Sequence, residues 1–146
     1  MDANTYNIQV SQLLQQPVEI VWKALTEVSQ MTQWFFENIP DFRPETGFEI
    51  CFDVHSGGRR FPHRWRVREV IPSQKLSLNW SYDSYPGTSI VSFYLKEEEN
   101  GCQITVIHEG MDSFPQDIPE FSAENCQGGW DYFIVQRLQE YCRKMD

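Results

Sequence analysis

His108 is the first residue to weigh for chemistry. It closes the run Ile104-Thr105-Val106-Ile107-His108, whose alternation puts it on the same side as Ile104 and Val106. An imidazole on an inward face can orient a ligand or act as a general acid or base near neutral pH. The alternative is a histidine tied by hydrogen bonds to backbone or water. His63 shares that inward parity with Trp65 and Val67, so a two-histidine site is conceivable. No third ligand is placed beside them, and no metal site is expected. Glu109, Asp112 and Asp117 stand near enough in sequence to orient a histidine, although carboxylates in loops are as a rule solvated. His108 is thus the one candidate catalytic residue.

The larger signal is apolar. Trp34, Phe36, Phe52, Trp65, Trp80, Phe93, Trp130 and Phe133 form an aromatic set in a chain with five Trp and ten Phe. With Val67, Met111 and His108 they make the candidate ligand-binding residues, because small-molecule pockets are mostly apolar with a few placed polar groups. The alternative is an ordinary packed core. There is no glycine-rich phosphate loop, no G-x-S-x-G elbow and no H-E-x-x-H pair in the sequence, so no nucleophile–base–acid set and no cofactor are expected.

Certain elements must position these residues. Tyr6 to Leu14 reads as a first strand. Pro17 suits a first helical position, and Val18, Val21, Trp22, Leu25 and Val28 then share one helix face. A second short helix is predicted over Ser29 to Phe36, stopped by Pro40 and Pro44. From Gly47 the period becomes two. Phe48, Ile50, Phe52 and Val54 alternate, then His63, Trp65 and Val67, then Leu76, Leu78, Trp80 and Tyr82, then Val91, Phe93 and Leu95, then Ile104, Val106 and His108. Ser56-Gly57-Gly58, Pro72-Ser73 and Pro86-Gly87 supply turns, and Asn100-Gly101 reads as the centre of a tight hairpin in which both positions tolerate φ > 0. Strands apolar on one face and polar on the other make an antiparallel sheet covered on one side. Trp130, Phe133, Ile134, Leu138, Tyr141, Cys142 and Met145 recur at helical spacing and supply the cover, with Glu140 and Lys144 as an outer pair. Gly128-Gly129 near its start reads as a close-packing site or a flexible lead-in.

The balance of 12 basic and 21 acidic residues, a net charge of −9, argues against nucleic acid and against anionic membranes as partners. No run of apolar residues is long enough to span a bilayer and no targeting segment is visible in Met1 to Gln16. Cys51, Cys102, Cys126 and Cys142 have no metal-ligand spacing and read as reduced thiols of a cytoplasmic protein. Glu97 to Glu99 is a solvated hairpin charge run. Arg59, Arg60, Arg64, Arg66 and Arg68 make a basic stripe, which either meets an acidic partner or balances an acidic surface.

Four segments in order resemble a known superfamily, the START-like or SRPBCC proteins, which include the birch-pollen-allergen (Bet v 1-like) proteins and polyketide cyclases. They are Gln16-Pro17-Val18-Glu19-Ile20-Val21-Trp22-Lys23-Ala24-Leu25, the hairpin from Val67 to Trp80, the strand Gly101 to Met111 with its His108-Glu109-Gly110-Met111 ending, and Gly129-Trp130 followed by Leu138. The branch they resemble is that of the C-terminal domain of the heat-shock-protein-90 ATPase activator. Trp34-Phe35-Phe36 before Glu37, and Gly128 before Gly129, depart from that branch. The resemblance implies an α+β helix-grip fold. In it a curved antiparallel sheet of about six strands surrounds a long C-terminal helix, two short helices follow the first strand, and residues 1–146 form a single domain. It also implies a cavity between sheet and helix that accepts an apolar small molecule, without implying one activity.

Three functions stay open: a binding domain for a small hydrophobic ligand, which is the preferred reading; a partner that regulates a chaperone ATPase; and a cyclase- or dehydratase-type enzyme using His108. A homodimer is a further expectation, with Trp22 or Phe114 as exposed apolar contacts.

Overall fold

The computed structural model describes residues 7–145. Tyr6, placed in the first strand by its pattern, lies outside them. β1 (Ile8–Leu14) leads into α1 (Val18–Thr26) and α2 (Val28–Trp34), then β2 (Glu49–Ser56), β3 (Arg59–Ile71), β4 (Lys75–Tyr82), β5 (Ser89–Glu98) and β6 (Gly101–Glu109). Two single 3-10 turns, Met111–Ser113 and Pro119–Phe121, precede the C-terminal helix. That helix runs as α3 (Ala123–Trp130), a π-helical stretch (Asp131–Leu138) and α4 (Gln139–Arg143).

The six strands form one antiparallel sheet in the order β1-β6-β5-β4-β3-β2. β1 and β2 are therefore its two edges, and α1 and α2 lie on the connection that carries the chain from one edge to the other. Inward residues face one another across the ladder: Trp65 opposite Trp80, Val67 opposite Leu78, Leu76 opposite Phe93, Val91 opposite His108. β3 shifts register between Val67 and Glu69. The extra residue puts Arg68 and Glu69 outward in succession and returns Val70 to the inner side. Such a bulge bends a strand.

The C-terminal helix buries Trp130, Ile134, Leu138 and Cys142, a strict row of four-residue steps. In an α-helix of 3.6 residues per turn that row winds off the contact face. The wider π ring keeps it in line. Three side chains pin the later part of the helix through four bonds: Arg137 Nη2 to the Gln33 carbonyl (2.6 Å), Tyr141 Oη to Gln30 Oε1 (3.1 Å), and Gln16 Nε2 to the Cys142 and Met145 carbonyls (2.9 and 2.8 Å). At the other end Ser122 is the N-cap, its hydroxyl accepting from the Asn125 N–H (3.2 Å). Buried residues from the sheet, α1, α2 and the C-terminal helix form one core.

Three expectations need correction. The β5–β6 hairpin turns at Glu99-Asn100, since Glu98 pairs with Gly101, and Asn100 does not take a positive φ. Gly101 is needed for another reason: a Cβ there would overlap the Leu14 carbonyl of β1. Gly128 and Gly129 are not a close-packing site, because a Cβ on either would meet nothing within 4 Å. Phe114 is not exposed; it is buried against Tyr82 and Phe121. Trp22 is half-buried against the core.

Candidate functional site

A cavity of about 260 Å³ opens between the sheet and the start of the C-terminal helix. Its floor is the far end of the inner sheet face: Val54 of β2, Phe61 and His63 of β3, Trp80 and Tyr82 of β4, and His108 of β6. Its roof is Cys126, Gly129, Trp130 and Phe133 of the helix. Phe36, just after α2, closes one side, and Ser56, Glu120 and Phe121 stand at the rim. Glu120 is tied there to Arg59 at 3.3 Å.

The residues reach this place by strand parity. His63 and Tyr82 are direct cross-strand partners, so their side chains rise from the same face, edge to face, with ring centroids 4.7 Å apart. Trp80 touches both histidines, at 5.4 Å from His63 and 5.6 Å from His108. The two imidazoles are thus divided by an indole and do not form a joint site. No cluster of three metal-ligating side chains occurs among the described residues.

His108 sits in a closed polar chain. The Trp130 indole N–H donates to His108 Nδ1 (3.1 Å), and an indole only donates, so Nδ1 carries the lone pair. The proton is therefore on Nε2 and goes to Ser89 Oγ (2.8 Å), whose own O–H goes to the Trp80 carbonyl (2.7 Å). Burial pushes the His108 pKa down to about 3, and a second ring proton would face the Trp130 N–H. Both nitrogens are engaged, so His108 orders the wall and has no free lone pair for acid–base work. Glu109, Asp112 and Asp117 are exposed and none of them bonds a histidine.

His63 differs. Its Nδ1 lies 2.9 Å from the Phe61 carbonyl, which only accepts, so Nδ1 carries the proton. Nε2 is left with a lone pair. Burial lowers the His63 pKa to about 4, so the ring is neutral at pH 7. Tyr82 Oη accepts from the Trp80 indole (2.8 Å), and burial raises its pKa, so the phenol keeps its proton. Burial also pushes the Cys126 thiol up to about 11, and its Sγ points to the Glu120 carbonyl at 3.6 Å. It is no nucleophile at neutral pH.

Of the residues expected from the sequence, Phe36, Trp80, His108, Trp130 and Phe133 border the cavity. Trp34, Phe52, Trp65, Val67, Phe93 and Met111 do not; they are buried in packing. Trp34 stacks on Phe35 at 4.7 Å and donates to the Ala24 carbonyl at 2.8 Å. Phe52 lies face on to His63 and edge on to Trp65. Among the described residues Trp65 Nε1 is the one side-chain nitrogen or oxygen that is sealed from all accessible space and has no partner. Phe61 and Tyr82 were legible by extending the parity of Trp65 and Trp80 to the strand ends. Glu120, Phe121 and Cys126 come from an aperiodic stretch that carries no such signal. The arginines of β3 point outward, and four of them have partners: Arg59 with Glu120 (3.3 Å), Arg60 with Asp53 (3.1 Å), Arg64 with Glu49 (3.0 Å) and Asp83 (2.7 Å), and Arg68 with Asn79 (3.1 Å). The stripe balances local acid charge.

Residues 15–143 match the family described as "Activator of Hsp90 ATPase homolog 1-like protein". Comparison with curated proteins gives no match. Among solved structures, a Bacillus halodurans protein is 30% identical, with 93% of this chain and 96% of that chain covered and a TM-score of 0.71. A Chromobacterium violaceum protein is 20% identical, with 92% and 95% covered and a TM-score of 0.77. The Aha1 dimer from Colwellia psychrerythraea is 18% identical, with 94% and 96% covered and a TM-score of 0.72.

Proposed function

The chain belongs to the Activator of Hsp90 ATPase homolog 1-like family, and we propose that it acts there as a binding domain for a small, mainly apolar molecule held between sheet and C-terminal helix. One observation carries this: an open space of about 260 Å³ whose walls are aromatic rings, with most of their polar atoms already bonded inside the protein. An apolar cavity of about 150 Å³ holds benzene. The site-forming groups are Phe36, Trp80, Trp130 and Phe133, with Phe61, His63 and Tyr82 beside them. The binding unit is residues 1–146 as one domain, working in the cytoplasm without a nucleic-acid or membrane partner. No helix among the described residues is long and apolar enough to cross a membrane.

Thermal-shift screening against one- and two-ring aromatics and short lipids tests the proposal. A saturable rise in Tm with at least one class supports it. No shift from any of them, with the indole N–H resonances also unmoved, removes it.

The family description favours a second reading, in which the domain regulates an Hsp90-type ATPase. Co-purification with the cognate chaperone and a change in its ATPase rate decide that independently of any ligand. The solved Colwellia relative is a dimer; for this chain a homodimer is tested by sedimentation. The enzyme reading through His108 is the least favoured, because both its nitrogens are engaged.

A further inference from the structure

We infer that the cavity selects an uncharged, mainly apolar ligand carrying a hydroxyl, which donates to His63 Nε2 and accepts from the Tyr82 phenol. This rests on the binding role proposed above and names the chemistry that would be recognised.

On the cavity wall the Trp130 N–H, both nitrogens of His108, the Trp80 N–H, the His63 Nδ1–H and the Cys126 thiol all have partners within the protein. At the rim the Glu120 carboxylate is paired with Arg59, and Ser56 is exposed to solvent. Two capacities inside remain unused among the described residues: the lone pair of His63 Nε2 and the proton of Tyr82 Oη. They belong to directly paired residues of β3 and β4, so one small group can reach both.

Both are also fixed in advance. His63 is held by its bond to the Phe61 carbonyl and stacked on Phe52 at 5.2 Å. Tyr82 is aimed by the 2.8 Å bond from Trp80. A polar group already ordered in an apolar wall discriminates sharply, because leaving it unpaired against a ligand is costly.

The pair reads one chemical type. An alcohol or phenol gives and takes through one oxygen. A carboxylate could accept from Tyr82 but would face the lone pair of a histidine that burial keeps neutral above about pH 4. An ammonium group would find an acceptor but no unpaired anion. A trans amide presents its N–H and C=O in opposite directions and cannot serve two adjoining rings. With about 260 Å³ available, the apolar body is of roughly two fused rings, larger than the benzene that about 150 Å³ accepts.

The test uses the full chain at pH 7, with 2-naphthol, naphthalene and 2-naphthoate as probes and the tryptophan indole N–H resonances as the readout. Naphthol is expected to bind about tenfold or more tighter than naphthalene, the worth of one to two hydrogen bonds, with naphthoate weakest. His63→Phe and Tyr82→Phe should each bring naphthol down to the level of naphthalene while naphthalene itself changes little. Tyr82→Phe also strands the Trp80 N–H and lowers stability; His63→Phe leaves that bond intact and decides the matter if the tyrosine variant folds poorly. Equal affinity for naphthol and naphthalene, preference for naphthoate, or a preference for naphthol that survives His63→Phe would overturn the hydroxyl inference and leave the cavity role standing. Failure of both naphthalene and naphthol to bind would overturn the two together.

Discussion

The two ends of the C-terminal helix meet the same sheet with opposite results. The later half drops Ile134, Leu138 and Cys142 into the core, where each is almost fully buried, and it is pinned by Arg137, Tyr141 and Gln16. The earlier half presents Cys126, Gly129 and Trp130 over an open space. Aromatic density does not separate the ends, since Trp34, Phe35 and Trp65 are stacked solidly while Trp80 and Trp130 face the cavity. What separates them is volume on the helix: large aliphatic residues fill one end, and a glycine and a cysteine leave the other unfilled. The polar groups divide the same way. Both buried histidines stand at the open end.

Acid should break the comparison most strongly. The His63 and His108 pKa values are depressed in the folded state, to about 4 and about 3, from an ordinary value near 6.5 in the unfolded chain. Below pH 6.5 the unfolded chain therefore binds more protons, and stability falls as pH drops through that window. Each histidine contributes on the order of 1.4 kcal/mol per pH unit, so between pH 6.5 and 5 the pair costs several kcal/mol. Above pH 7 this contribution is constant. Urea titrations at pH 7.5, 6.0 and 5.0 measure it, and His63→Phe should halve the slope. Amide exchange should rise first at the open end. A stability that stays flat to pH 5 would show that the rings are not held neutral.

Core deletion sharpens the contrast next. Leu138→Ala removes a fully buried side chain at the filled end and should cost about 2–5 kcal/mol. Phe133→Ala removes a larger group that already borders empty space and so has fewer contacts to lose; its cost should be less than half that of Leu138→Ala. Equal costs would mean that the cavity collapses around Phe133. Between these lies Ser89→Ala, which strands the His108 Nε2–H and should cost about 1–3 kcal/mol in a thermal or urea melt.

These contrasts were unevenly legible in the sequence. Period-two alternation from Phe48 to His108 is imposed by a sheet wet on one side, so the strands along the chain, their inward faces and the position of His108 were readable. The site was readable only in part. Parity says that Phe52, Trp65 and Trp80 all point inward but not where along the strands the helix leaves room. That depends on the side chains of the covering element, and the small residues at positions 126 and 129 were the available signal. The histidine roles were also hidden. His63 and His108 look alike by parity; what distinguishes them is a tertiary partner, Trp130, that occupies the ring nitrogen of one and not of the other. The hairpin at Glu99-Asn100 slipped by one residue from its pattern because Gly101 answers to the approach of Leu14, a contact 87 positions away that no local rule sees.

The smallest expected effect isolates the difference between the two ends. Gly128 and Gly129 are neighbours inside α3, and a Cβ on either meets nothing within 4 Å. Replacing either by Ala in a helix interior should raise stability by about 0.8–1 kcal/mol through helix propensity alone. Only Gly129 lines the cavity; Gly128 is exposed. Gly128→Ala should therefore stabilise without touching ligand affinity, whereas Gly129→Ala should stabilise equally and weaken a bound naphthol several-fold, and Gly129→Leu should abolish binding while the melt stays at or above that of the parent chain. Matched melting curves with divergent affinities would show that the missing side chain keeps the space open. If both alanine variants bind alike, the glycine is incidental, and the space depends on Trp130 and Phe133 instead.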